Sequence, residues 1–127
     1  MPVAQQLAVT VANRPGALAR VAELLASNKI NITGLYSSGP SRQIRLLVSN
    51  PAKARRVLVK AGLPTRLEDV VVVSLPERVG TLARTARRLA QRKININYGY
   101  ATLGRGAKRA TLVLGVKKPR QAARLAG

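Results

Sequence analysis

The chain has 127 residues, no cysteine and no histidine, and its 23 Lys and Arg face four acids for a formal net charge of +19. This excludes disulfides, thiol nucleophiles, imidazole bases and the usual zinc ligands, so neither a metal nor a cofactor is expected. With no Phe and no Trp the core has to come from Val, Leu, Ile and Ala, and the basic balance predicts salt-dependent attraction to polyanions.

The opening MPVAQQLAVTVANRPG has no basic segment followed by an apolar run. A secretory leader is therefore not expected. No stretch approaches the roughly 20 apolar residues of a membrane span, and we expect a cytoplasmic protein. Leu7, Val9 and Val11 alternate with Ala8, Thr10 and Ala12, as in a half-buried strand. Asn13-Arg14-Pro15-Gly16 breaks it, with Asn13 placed to cap a helix and Pro15 suited to its first turn. Leu18, Val21, Ala22 and Leu25 then recur on one helical face. Asn28 or Lys29 ends that helix, and Ile30 to Tyr36 reads as a second strand. Ser37 to Pro40 is a turn, and Arg42 to Ser49 a third strand with Ile44, Leu46 and Val48 inward. Pro51 opens a helix that Gly62 stops, and Thr65 to Leu67 suggests a short fourth strand.

Val70 to Val73 is an unbroken β-branched run, the pattern of a strand buried on both faces. Leu82, Thr85, Ala86 and Leu89 repeat the earlier helix face. Ile94 to Ala101 and Lys108 to Val116 read as strands, and Pro119 opens a last helix as Pro51 does before. This second half mirrors the first. Gly16–Tyr36 and Gly80–Tyr100 match at 12 of 21 positions at a constant shift of 64, with no gap. Such a period means one unit used twice. The predicted class is α+β: two ferredoxin-like βαββαβ units, residues 1–67 and 68–127, each an antiparallel sheet with helices on one face. The second unit has no last strand of its own. The apolar run Val70–Ser74 is then expected to pair with another chain or with the first unit's fourth strand.

Asn13-Arg14-Pro15-Gly16-Ala17-Leu18, followed after eleven residues by Ile30-Asn31-Ile32, resembles the signature of ACT domains, small regulatory modules that bind amino acids. The tandem layout is similar to stand-alone ACT pairs. The resemblance implies a ligand held between adjacent modules, at the loop after the first strand and at the start of the second strand. It points to Asn13, Arg14, Pro15, Gly16, Ala17, Leu18, Asn31 and Ile32 in the first unit. In the second it points to Arg78, Gly80, Thr81, Leu82, Asn95 and Ile96.

The chemistry agrees. Glycines let backbone approach a ligand, helix N-termini offer N–H groups to a carboxylate, Asn supplies an amide, and Arg a bidentate fork. The same residues have plainer readings as turn glycines and solvated loop charges, and Leu18 and Leu82 are read first as core. The second copy departs from the motif, with Glu77 and Val79 where the first has Asn13 and Pro15.

Catalysis is not expected, because Glu23, Glu68, Asp69 and Glu77 are the only acids and no base accompanies them. Glu68 and Asp69, adjacent on a strand, should point to opposite faces. The leading expectation is a non-catalytic amino-acid-binding regulatory protein that forms homodimers or larger assemblies. The alternative is non-specific binding of nucleic acid or another polyanion through Arg84, Arg87, Arg88, Arg92, Lys117 and Lys118, with Lys108, Arg109, Arg120 and Arg124 adding to that half.

Overall fold

The computed structural model describes residues 2–76, 78–102 and 109–126. Ten elements follow in order: β1 (Val3–Thr10), α1 (Ala17–Ser27), β2 (Ile32–Ser38), β3 (Gln43–Val48), α2 (Pro51–Lys60), β4 (Thr65–Pro76), α3 (Thr81–Gln91), β5 (Ile96–Ala101), β6 (Arg109–Val116) and α4 (Pro119–Ala126). They form two compact units, Gln5–Glu68 and Asp69–Gly127 together with Met1–Ala4.

In the unit Gln5–Glu68 the strand order is β2-β3-β1-β4. Leu7 faces Leu46 across the antiparallel β1–β3 pair, and Leu35 faces Leu46 across β2–β3. Leu7, Val9, Ile44, Leu46 and Val48 form one sheet face. They pack against Val21 and Leu25 of α1 and Ala54 and Leu58 of α2. The helices thus cover one face, as the period-2 and period-3.6 patterns required.

The helix ends explain where the strands begin. Lys29 N–H donates to Ala26 C=O and Ile30 N–H to Leu25 C=O, closing α1 with the double bond of a Schellman turn. Ile30 is therefore spent on the helix end, packed into the core with Leu25, and β2 starts two residues later than expected. Ile94 does the same after α3 through its bond to Leu89 C=O, so β5 starts at Ile96. Gly62, at φ 87°, closes α2 in the same way: its N–H donates to Val59 C=O, and that of Leu63 to Leu58 C=O.

In the other unit the order is β1-β4-β6-β5, with β1 contributing its first residues. Val72 N–H donates to Pro2 C=O at 3.0 Å, and Val3 packs on the core of this unit. This corrects the expectation for Val70–Ser74: the start of β1 lies along it, in place of another chain or of the first unit's fourth strand, which is continuous with it in β4. Val71, Val73 and Leu75 pack with Leu89, Leu114, Ala122 and Ala123, while Val70 is equally buried on the opposite face. Tyr98 lies over Gly115 of β6, so close that a Cβ there would meet its ring at 2.0 Å. Among the described residues no helix is long and apolar enough to cross a membrane. The calls on Glu77 and Lys108 fall outside the described residues.

Candidate functional site

Backbone geometry makes the two β–α loops equivalent despite their different sequences. Arg14 N–H donates to Ala12 C=O and Arg78 N–H to Pro76 C=O; Gly16 has φ 86° and Gly80 φ 88°. The first helical bonds, Arg20 N–H to Gly16 C=O at 2.9 Å and Arg84 N–H to Gly80 C=O at 3.0 Å, also match. A side chain at either glycine would be strained in this left-handed conformation. Pro15 is thus not needed for the turn, and its counterpart Val79 is fully exposed.

Asn13 does not cap α1. Gly16 occupies the N-cap position and no side chain bonds there. The Asn13 amide instead lies against the β2–β3 turn, where its Oδ1 would sit 2.7 Å from a Cβ placed on Gly39. Pro15 lies in the turn ahead of the helix rather than in its first turn. With no cap, the N–H groups of Leu18 and Ala19 precede the helical ladder and stay available to an anion.

An open cavity of ≈ 520 Å³ adjoins this loop, lined by Arg14, Gly16, Ala17, Arg20, Arg42 and Pro64 among others. A smaller one of ≈ 120 Å³ includes Asn13, Leu18, Gly39 and Ile44. Neither lining contains an acid. Arg20 is held by its Nη2, which donates to Ala61 C=O at 2.8 Å. Arg42 sits at φ 54°, its carbonyl accepting Val11 N–H. Neither Arg20 nor Arg42 belonged to the expected site. Arg20 was legible as the residue four beyond Gly16; Arg42 is contributed by a distant turn and carries no local signal.

At the second loop the cavity is ≈ 420 Å³ and its described lining is mostly apolar: Leu75, Pro76, Val79, Leu82, Ala110 and Leu112, with Arg78 and Thr81. Leu18 and Leu82 are not core residues. They are 39% and 61% exposed. Each shares a helix face with a buried leucine seven residues on, Leu25 or Leu89, but lies in the first turn beside the cavity at the sheet's end. The inward residues of α3 are Thr81 and Leu89 instead, with Thr85 half-buried.

Asn31–Ile32 and Asn95–Ile96 are not brought to the loop of their own unit. Ile32 pairs with Val48 at one end of the β2–β3 ladder, whereas Ser38 and Thr10 pair with Gln43 at the other, beside the Asn13–Leu18 loop. Ile96 pairs with Val116, while Pro76 pairs with Arg109 at the opposite end of β6. Asn31 is engaged through its backbone, its carbonyl accepting Ser49 N–H and its N–H donating to Ser49 Oγ. The Asn95 amide donates to Asn97 Oδ1 at 3.0 Å.

The alternative basic set is exposed throughout: Arg84, Arg87, Arg88 and Arg92 on and after α3, Lys117 and Lys118 before α4. Arg84 folds back, its Nη2 donating to Thr81 Oγ1 at 3.4 Å. Glu68 and Asp69 do diverge, one bonded to Gln6, Arg45 and Arg66, the other to Arg120. Among the described residues no group of three acids is placed to hold a metal.

Two α+β units of one ferredoxin-like plan, each with a left-handed glycine where its first strand hands over to its first helix, define a tandem of two ferredoxin-like modules. The chain belongs to the ACT domain pair family, whose model matches residues 1–124. It is similar to the protein BT0572 from Bacteroides thetaiotaomicron, with 28% identity, 97% of this chain and 85% of that one covered, and a TM-score of 0.87. It also shares its fold with regulatory subunits of aspartate kinase. The one from Thermus thermophilus is 19% identical, with 98% and 90% covered and a TM-score of 0.72. The one from Thermus flavus is 21% identical, with 99% and 92% covered and a TM-score of 0.69. No curated protein matches the chain.

Proposed function

We propose that the chain is a non-catalytic regulatory module that binds a free amino acid at its first β–α loop. ACT modules bind amino acids, and regulatory subunits of aspartate kinase share this fold. The observation that carries the reading is the cavity at Gly16. Three arginines, the uncapped start of α1 and no acid surround it. A carboxylate seated there takes N–H groups of Leu18 and Ala19 and the guanidinium of Arg14. The second loop, lined mainly by Leu75, Leu82 and Leu112, suits an apolar group better than a carboxylate.

The non-catalytic part of the proposal is supported by two of the four acids: Glu68 is held by Gln6, Arg45 and Arg66, and Asp69 by Arg120, so neither is poised to move a proton. Asn31 and Ile32 lie at the far end of their own unit and can serve a loop ligand only from a second module, which we assign to another copy of the chain. Homodimers or larger assemblies are part of the proposal.

Calorimetry and thermal shift against a panel of amino acids test it. Binding weakened by Arg14→Ala is expected; no heat and no shift up to millimolar concentration would falsify it. A second reading, non-specific polyanion binding, draws on exposed Arg87, Arg88 and Arg92, none of which has an ion pair among the described residues. Retention of nucleic acid on filters that falls steeply with log salt supports it, and no retention at low salt removes it.

A further inference from the structure

The two copies differ most where the first helix ends and the second begins. In the first copy this corner is internally satisfied. Asn28 Nδ2 donates to Leu24 C=O, Lys53 Nζ donates to Asn28 C=O at 3.0 Å, and Asn50 caps α2 by accepting Lys53 N–H. Ser49, next to that cap, donates its backbone N–H to Asn31 C=O and accepts from Asn31 N–H at its Oγ.

In the second copy all of those polar partners but Asn31, which returns as Asn95, are replaced. Arg92 stands for Asn28, Lys117-Lys118 for Ser49-Asn50 ahead of the helix proline, and Gln121 for Lys53. These residues, with Lys93 and Asn95, line an open cavity of ≈ 330 Å³. Four cations and no acid therefore face one hollow. None of the four has an ion pair among the described residues. A lysine cannot accept from a helix N–H, so α4 begins at Pro119 without the side-chain cap that Asn50 gives α2. Asp69, the acid of this unit among the described residues, is bonded to Arg120, which is outside the hollow.

We infer that this hollow is a second ligand site, specific to the second unit, that takes a small anion carrying at least two phosphate charges, such as a diphosphate or a phosphorylated metabolite. Its geometry favours a compact anion over a nucleic acid strand. The cations converge on a concavity of small-ligand size, and the exposed Arg88, one turn before Arg92 on α3, does not line it. Lys93, Lys117 and Lys118 act as point charges on any phosphate oxygen, Arg92 adds a fork, and Asn95 and Gln121 supply amides for uncharged oxygens. The site stands apart from the amino-acid site proposed at the first β–α loop, of which it uses no residue.

Titration of the full chain with pyrophosphate, by calorimetry at physiological ionic strength, tests the inference. The decisive variant is Lys117→Ser with Lys118→Asn, which installs the first copy's own residues and a helix cap, so folding should be kept or improved. Saturable binding is expected, weakened at least about tenfold by this pair, and unaffected by Arg14→Ala. A control pair, Arg87→Gln with Arg124→Gln, removes the same charge outside the hollow and should change affinity little. The inference is overturned if pyrophosphate does not saturate, if the lysine pair leaves affinity unchanged, or if the control pair weakens binding as much. It is also overturned if a single-stranded oligonucleotide binds through both pairs alike and pyrophosphate cannot displace it.

Discussion

The side-chain amide of Gln6, fully buried, donates from Nε2 to Glu68 Oε1 at 3.1 Å. The same oxygen accepts from Arg45 Nε at 3.3 Å, and Oε2 accepts from Arg66 Nη2 at 2.9 Å. A carboxylate on β4 thereby satisfies a buried amide on β1 and a guanidinium on β3. Burial alone would raise the Glu68 pKa; hydrogen bonds from Gln6, Arg66 and Arg45, with the Arg45 charge, outweigh it and hold it below the ordinary 4.5.

Acid stability follows with a definite sign. A carboxyl whose folded pKa is depressed contributes stability that is fully present above the unfolded value and is lost as pH falls through the folded one. Urea unfolding of the parent chain should be pH-independent through this group down to about 4.5 and weaken below it. Glu68→Gln should flatten that acid limb. Glu68→Ala, which removes the acceptor of Gln6 and Arg45 together, should cost about 2 kcal/mol at neutral pH.

The glycine of the first loop separates conformational strain from crowding. Nothing lies within 4 Å of a Cβ on Gly16, yet its φ is 86°. Gly16→Ala should therefore cost about 1–2 kcal/mol from backbone strain alone. It should also weaken amino-acid binding, which calorimetry reads directly. An unchanged melting temperature would show that the loop re-forms without left-handed geometry.

Lysines hold two positions that glycine usually takes. Lys29 and Lys93 close α1 and α3 at φ 60° and 59°. Lys29→Gly should raise stability by about 0.5–1 kcal/mol, as left-handed strain is relieved against a smaller entropic cost. Lys29 is the residue for this test because Lys93 lines the hollow of the second unit. Chemical denaturation curves with an unchanged slope would read the gain.

What the sequence made legible was periodic. Alternation at Leu7 and Val9, and at Ile44, Leu46 and Val48, marked the sheet face that the helices cover, and the 64-residue repeat marked two units of one plan. What it hid depended on geometry without a local signature. Asn13 has the identity of a cap, but its amide lies against the turn at Gly39, distant in sequence from any pattern in its own segment. Leu18 and Leu82 obey the helical period and still miss the core, because period says which face a residue is on and not whether the sheet extends beneath it. Arg92 and Lys117 meet at one hollow only because β5 and β6 carry the chain out and back between them.

That limit of periodicity is testable with three leucines. Leu58 is fully buried between α2 and the sheet, and Leu58→Ala should cost about 3 kcal/mol through lost transfer energy and a residual cavity. Leu82→Ala, on a helix face of equal periodicity, should cost less than about 0.5 kcal/mol. Leu18→Ala should behave like Leu82→Ala in stability.

The contact between Tyr98 and Gly115 gives the sharpest packing test. On neighbouring strands, the ring covers the glycine so closely that a methyl group would overlap Cε1, Cζ and Cδ1. The atoms in the way belong to an aromatic ring on a sheet, not to the end of a flexible chain, so the strands must part or the ring must leave its rotamer. Gly115→Ala should cost about 2 kcal/mol, within the range for overpacking. If the ring alone is responsible, Tyr98→Ala should make the same substitution nearly neutral, and a double-mutant cycle should return a coupling close to the full cost. A cycle with no coupling would instead assign the cost to the β6 backbone, whose Val113 and Leu114 neighbours flank the facing Gly99.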